Sequence, residues 1–129
     1  MRYILKDILD YMQGHMPTGN IYLSTVPVDL LKGENGSPYP VILLSAAGGS
    51  ASKDYDLFRQ VIDVEAISNK SEEALDMLQM AFTALNRAAN TQTTNYYVYF
   101  VATTMGMTDL GKDANGHARF KFSVEITYR

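Results

Sequence analysis

The chain has no cysteine, and that absence removes disulfides, thiolate metal sites and a cysteine nucleophile together, while leaving the redox compartment open. Histidine is scarce too. His15 and His117 are the only two, one at a helix exit and one in a loop, with no His-x-x-x-His spacing to suggest a structural metal site. Positive charge is in deficit: 11 Lys and Arg against 14 Asp and Glu leave a net charge of -3. No basic field therefore exists to drive general nucleic-acid binding. Long apolar runs are missing as well, since no segment approaches the ~20 residues of a membrane span. The start, "MRYILKDILDYMQG", mixes charged and apolar residues at helical spacing, which is unlike a secretory signal. A soluble globular protein is expected. With 129 residues the expectation is one domain over 1-129, able to hide roughly two thirds of its extended-chain surface.

What is present is a clear succession of periodic segments. From Met1 to about Gln13, Ile4, Leu5, Ile8, Leu9 and Met12 recur on one helical face with Lys6, Asp7 and Asp10 on the other, and Gly14 and Pro17 end the pattern. Asn20 to Pro27 reads as a short strand, and "VDLLKGENGSPYP" as an irregular connection. Val41 to Ser45 is an all-apolar strand leading into a glycine loop, Gly48 to Asp54. Phe58 to Ser68 alternates, with Asp63 and Glu65 sharing one face. Asn69 to Asn90 holds the clearest helix, its start capped by Asn69 or Ser71, its stripe made by Ala74, Leu75, Leu78, Ala81, Phe82 and Leu85, and Arg87 in its last turn. Asn95 to Met105 and Ala118 to Arg129 are strands, joined by a long arm, Met107 to His117, with an Asn115-Gly116 turn signal. The order α-β-β-β-α-β-β predicts an α+β fold: a mostly antiparallel mixed sheet with two main helices packed on one face.

Each motif that suggests chemistry lacks a required part. A phosphate loop needs spaced glycines, then Lys followed by Ser or Thr opening a helix; here Gly48 and Gly49 are adjacent, Lys53 precedes Asp54, and a strand follows. "KDANG" looks like the middle of a calcium loop, but its first and twelfth ligand positions would be Gly111 and Phe122. No Gly-x-Ser-x-Gly elbow occurs. Asp63 and Glu65 are the best carboxylate pair for acid-base work, yet no nucleophile or base accompanies them, and a solvated or intersubunit sheet face explains them better. Tyr96, Tyr97, Tyr99 and Phe100 would suit a base-stacking platform, but Asn95 to Gly111 holds no Lys or Arg, so core packing or protein contact is favoured.

Taken together, the strand "YPVILLSAAGG", the strand "QVIDVEAIS", the helix "SEEALDMLQMAFTALN" and the two late strands resemble the tail terminator proteins of long-tailed bacteriophages, also called minor tail or minor capsid proteins. The specific part of the likeness is Tyr39 to Asn86. The resemblance implies a non-enzymatic virion protein at the head-proximal end of the tail, made in the host cytoplasm. It implies a homohexameric ring that caps the tail tube, stops its polymerisation and meets a head-completion protein, while DNA passes through without specific binding. No cofactor, metal or membrane is implied, and the family carries over no functional residues. A head-tail connector or stopper protein is the alternative of the same class, and a small enzyme or ligand-binding domain that of another. The residues themselves single out Lys53, Asp54, Asp63, Glu65, Asp109, Lys112 and Asp113 as subunit or partner contacts, because they lie on the acidic strand face or in the two long polar segments.

Overall fold

The computed structural model describes residues 4–16, 21–23, 40–51, 57–114 and 116–129. Two helices and six strands follow one another as α1 (Ile4–His15), β1 (Ile21–Leu23), β2 (Val41–Ala51), β3 (Phe58–Ser68), α2 (Ser71–Asn86), β4 (Thr91–Gln92), β5 (Tyr97–Lys112) and β6 (Ala118–Tyr128). The strands form one mixed sheet in the order β1-β2-β3-β6-β5-β4. Only β1 and β2 run parallel, and every other neighbouring pair is antiparallel. This is the expected α+β architecture, with the two-residue β4 added at one edge.

The core follows from two periodicities meeting. Ile62, Val64 and Ala66 of β3 and Phe122, Val124 and Ile126 of β6 point to one face at period two, as do Ile42 and Leu44 of β2. Onto that face α1 brings Ile4, Ile8 and Met12, and α2 brings Ala74, Met77, Leu78, Ala81 and Leu85. Phe82 stands edge-on to Phe122 with ring centroids 5.3 Å apart. Each large side chain fully hidden here contributes about 1.5–3 kcal/mol. Leu75, expected in the stripe, is only half-buried, and Met77 takes its place in the core.

The ends of α2 differ from expectation. Neither Asn69 nor Ser71 caps it: Lys70 stands at the N-cap with no side-chain hydrogen bond. Buried Ser68 ties the entry to the helix instead of capping it, its Oγ donating to Glu73 Oε2 at 2.9 Å and accepting from the Lys70 amide at 3.3 Å. Arg87 lies just past the helix as its C-cap. Asn90 then adopts φ 57, a left-handed conformation that asparagine tolerates, and the chain turns into β4. Gly14, expected to stop α1, lies within its last turn.

Asp7 reverses its expected placement. It is 2% exposed, and its carboxylate accepts from Thr93 Oγ1 at 2.7 Å, the Asn95 amide at 2.7 Å and Asn95 Nδ2 at 2.8 Å. A helical face that reads as solvated thus pins α1 to the β4–β5 turn. Sequence spacing misses this because a carboxylate is buried only when donors from a distant turn reach it.

The glycine stretch is strand, not loop. β2 runs on through Gly48 and Gly49, with a register shift against β3 between Ala46 and Gly49. Gly48 has φ +120, and a Cβ at Gly49 would overlap the Arg59 carbonyl, so both positions of this bulge require glycine. Gln60 Nε2 donates to the Gly48 carbonyl at 2.7 Å and holds the bulge in place.

Candidate assembly interface

The sheet face away from the helices carries the acidic pair. Asp63 and Glu65 project there from β3, opposite Ser123 and Lys121 of β6 in the antiparallel register. Both carboxylates are engaged. Asp63 accepts a hydrogen bond from Ser123 Oγ and pairs with Lys121 Nζ at 3.3 Å; Glu65 pairs with Arg119 Nη1 at 3.0 Å. Arg119 Nε reaches Asp113 Oδ2 at 3.1 Å, and His117 Nδ1 lies 3.6 Å from the same oxygen. Burial opposes the charge on Arg119, yet the hydrogen bonds and charges of Asp113 and Glu65 outweigh it and hold the guanidinium above its ordinary pKa. A line of alternating charge thus runs from β3 across β6 to the hairpin tip, and cross-strand pairing is what makes it.

Of the residues expected from sequence, Asp63, Glu65 and Asp113 are therefore brought together through Arg119 and Lys121. Asp109 and Lys112 are exposed on β5, apart from that line, and Asp109 Oδ1 accepts from the Gly111 amide at 2.7 Å. Lys53 and Asp54 lie outside the described residues, as do Asn115, residues 24–27 of the expected first strand and residues 28–39 of the expected irregular connection. Arg119 and Lys121 were the missed members. Their signal was the alternation of β6, which puts Lys121 and Ser123 on one face, ready to meet a facing strand that alternates Asp and Glu.

The second feature is β5 itself. The arm expected from Met107 to His117 is mostly ladder: β5 continues to Lys112, and the hairpin closes with the Asp113 amide donating to the His117 carbonyl and Gly116 donating to Asp113, each at 3.0 Å. Fifteen residues of β5, Val98 to Lys112, run beside eleven of β6, with four register shifts absorbing the excess. Each shift reverses the side-chain alternation. The first lies between Val98 and Phe100, so Val101 packs on the core while Phe100 turns out to 65% exposure.

Beyond Val101 the strand is exposed at nearly every position, with Met107 and Leu110 among the exposed apolar side chains. Its outer edge is covered by β4 only at Tyr97 and Val98. At the other end of the sheet β1 covers β2 only from Ile42 to Leu44. Among the described residues, the outer edges of β5 from Tyr99 and of β2 from Ser45 thus carry no strand.

Other surfaces offer less. A groove of about 510 Å³ between the end of α1 and the outer face of α2 is lined by His15, Asp76, Thr83 and Arg87 among others, and none of the expected contact residues that are described lines it. Among the described residues no group of three metal-ligating side chains converges, and no helix is long and apolar enough to cross a membrane.

No protein-family model and no curated protein matches the sequence. Among solved structures the chain is similar to a chain of the virion of a native gene transfer agent particle, at a TM-score of 0.68 and 9% sequence identity, with 98% of each chain covered. The likeness runs through both helices and the sheet, and what it establishes is a shared fold.

Proposed function

We propose that this protein is a structural component of a phage-like virion, a tail terminator acting as one 129-residue domain within a homo-oligomeric ring, a hexamer by the resemblance. The ring caps the tail tube, halts its growth and meets the head-completion protein at the head-proximal end of the tail. The observation that carries an assembly role is β5, a long strand exposed at nearly every position beyond Val101, whose outer edge from Tyr99 on pairs with no strand among the described residues. Natural proteins shield such edges with charge, proline or a covering element, and an uncovered one invites another chain. Between Tyr97 and Thr108 there is neither charge nor proline.

Fold likeness to a gene transfer agent virion chain over nearly the full length of both supports the same reading. The partnered state of Asp63 and Glu65 supports a non-enzymatic role, since each is held by a cation in a structural line on an open face. The mild net negative charge of -3 suits a ring through which DNA slides without specific binding.

The test is tube assembly in solution. Added to polymerising tail tube protein, the chain should shorten the tubes in proportion to its concentration and appear at one tube end. Tubes of unchanged length, together with binding to the portal-side complex alone, would favour the connector or stopper reading.

A further inference from the structure

We propose that the outer edge of β5 between Tyr99 and Met107 pairs antiparallel with the same edge of a second copy, so that the free protein is a two-fold dimer with one sheet running through both subunits. A two-fold contact cannot recur around a ring of head-to-tail subunits. The pairing therefore goes beyond the ring reading and belongs to the chain before it is assembled.

The lane beside this stretch of β5 is open. β4 covers only Tyr97 and Val98, and the chain ahead of Thr91, next in line beside Tyr99, turns at Asn90 with φ 57 and comes from α2. Phe100, Ala102, Thr103, Thr104, Gly106 and Met107 are all exposed. No connection outside the described residues is long enough to reach this lane and run a strand along it. Residues 24–39 leave β1 and return to β2 at the far edge of the sheet, five and four strand spacings away. At ~4.8 Å per spacing the crossing and return take about 43 Å, and a strand from Tyr99 to Met107 about 30 Å more, beyond the roughly 60 Å that this many residues span at full extension. Residues 17–20 and 52–56 are fewer still, and residues 1–3 are too few for such a strand.

The stretch is symmetric in the way that pairing with itself requires. β4 bounds it at Val98, the first charge bounds it at Asp109, and Thr103 stands at its centre. Turned about a two-fold axis beside Thr103, Tyr99 comes level with the second copy's Met107, Phe100 with its Gly106, and Thr103 with itself. No charge then faces its own copy. Phe100 and Met107, 65% and 38% exposed, gather at each end of the pair, where the thioether suits the aromatic rings. Gly106 has open space where a Cβ would stand, which leaves room for the Phe100 ring over the glycine backbone.

The irregularities of β5 fit the same arrangement. Past Met107 a straight strand would run into the partner's β4, and β5 shifts register there, between Met105 and Thr108 and again between Asp109 and Gly111. They also keep the pairing weak. One edge of this length, interrupted by bulges, buries less than the ~800 Å² a side of a stable interface, so the dimer is concentration-dependent and can be drawn apart by assembly. While it lasts, each copy shields the other's edge from open-ended strand addition.

Sedimentation of the free protein over a concentration series tests this, and a monomer–dimer equilibrium is expected. Thr103→Lys, which sets lysine against lysine at the axis, should weaken it by roughly tenfold or more, as should Thr103→Glu. An equimolar mixture of the two variants should restore the dimer, with circular dichroism unchanged in each. Since the chain has no cysteine, Ala102→Cys, Thr103→Cys and Thr104→Cys, taken singly, bracket the axis. Oxidation of at least one should give covalent dimer in far higher yield than Glu72→Cys on the exposed face of α2. A free protein with no dimer, a dimer that both charged variants leave intact, or no trapping at any of the three positions would overturn the proposal. Rings on tail tube protein from a chain that is monomeric when free would do so as well, and would leave the proposed function standing. A trapped dimer that never forms a ring on the tube would remove the functional reading and support this pairing.

Discussion

Replacing Asp7 by alanine tests whether the buried carboxylate is the tie between α1 and the β4–β5 turn. The side chain is 2% exposed and accepts from the Thr93 hydroxyl, the Asn95 amide and the Asn95 side-chain amide at 2.7, 2.7 and 2.8 Å. A hydrogen bond to a charged group contributes about 1.5–3 kcal/mol net, and a donor left buried without a partner costs about 1–3 kcal/mol. Two of the donors have relief: Thr93 Oγ1 also reaches the Tyr96 carbonyl at 2.9 Å, and the Asn95 side chain is exposed to water. The Asn95 amide keeps the larger part of the penalty. Asp7→Ala should therefore lose about 2–4 kcal/mol, and Asp7→Asn, which keeps one acceptor oxygen, about half of that. Urea unfolding followed by far-ultraviolet circular dichroism reads the midpoint at an unchanged slope. A double-mutant cycle of Asp7→Ala with Thr93→Val should show a coupling of about 1 kcal/mol or more. A loss below about 1 kcal/mol with no coupling would mean that the Asp7 carboxylate is not the tie between α1 and this turn.

Further outcomes follow from other parts of the structure. Gly49→Ala should destabilise by about 1–3 kcal/mol in thermal unfolding, because its Cβ meets the Arg59 backbone and the bulge must shift, whereas Gly14→Ala, with open space around it, should be neutral or stabilising. Arg119→Ala should cost no more than about 1 kcal/mol in urea, and less in high salt, since its ion pairs with Glu65 and Asp113 are partly exposed. Phe100→Ser should change monomer stability by no more than about 0.5 kcal/mol, yet weaken self-association measured by sedimentation. Tyr128 has its phenol pKa raised by burial and then by the charge of Tyr96, so folding favours the neutral form. Above pH ~10 the unfolded chain releases this proton first. Stability present below that pH is then lost as pH rises through the folded-state value, and Tyr128→Phe should lessen the alkaline decline in a pH series of melts.

The fold was readable where burial alone sets the pattern. The stripe of Ala74, Leu78, Ala81 and Leu85 marks α2, and the alternations of β3 and β6 mark the two central strands, because each buries one side against the same core. Reading failed where a strand is not regular. Glycines usually signal a loop, but Gly48 and Gly49 permit a bulge that keeps β2 in the ladder. The shift after Val98 sends Phe100 outward, and no residue type announces which aromatic will be the bulged one. Asp7 and the Ser68–Glu73 bond were hidden for a different reason: each depends on a partner whose position is set by the fold or by a local turn, not by spacing. Of the candidate contacts, the Asp63 and Glu65 face was legible through alternation, while the edge of β5 that pairs with no strand among the described residues emerges only from strand order and from how short β4 is.

Native mass spectrometry with negative-stain imaging, alone and with tail tube protein, tests the proposed closure of this chain into a ring on a tail tube. A single closed oligomer is expected, visible as a ring and seated at one end of the tube. A strict monomer under both conditions, with no density at the tube end, would contradict it.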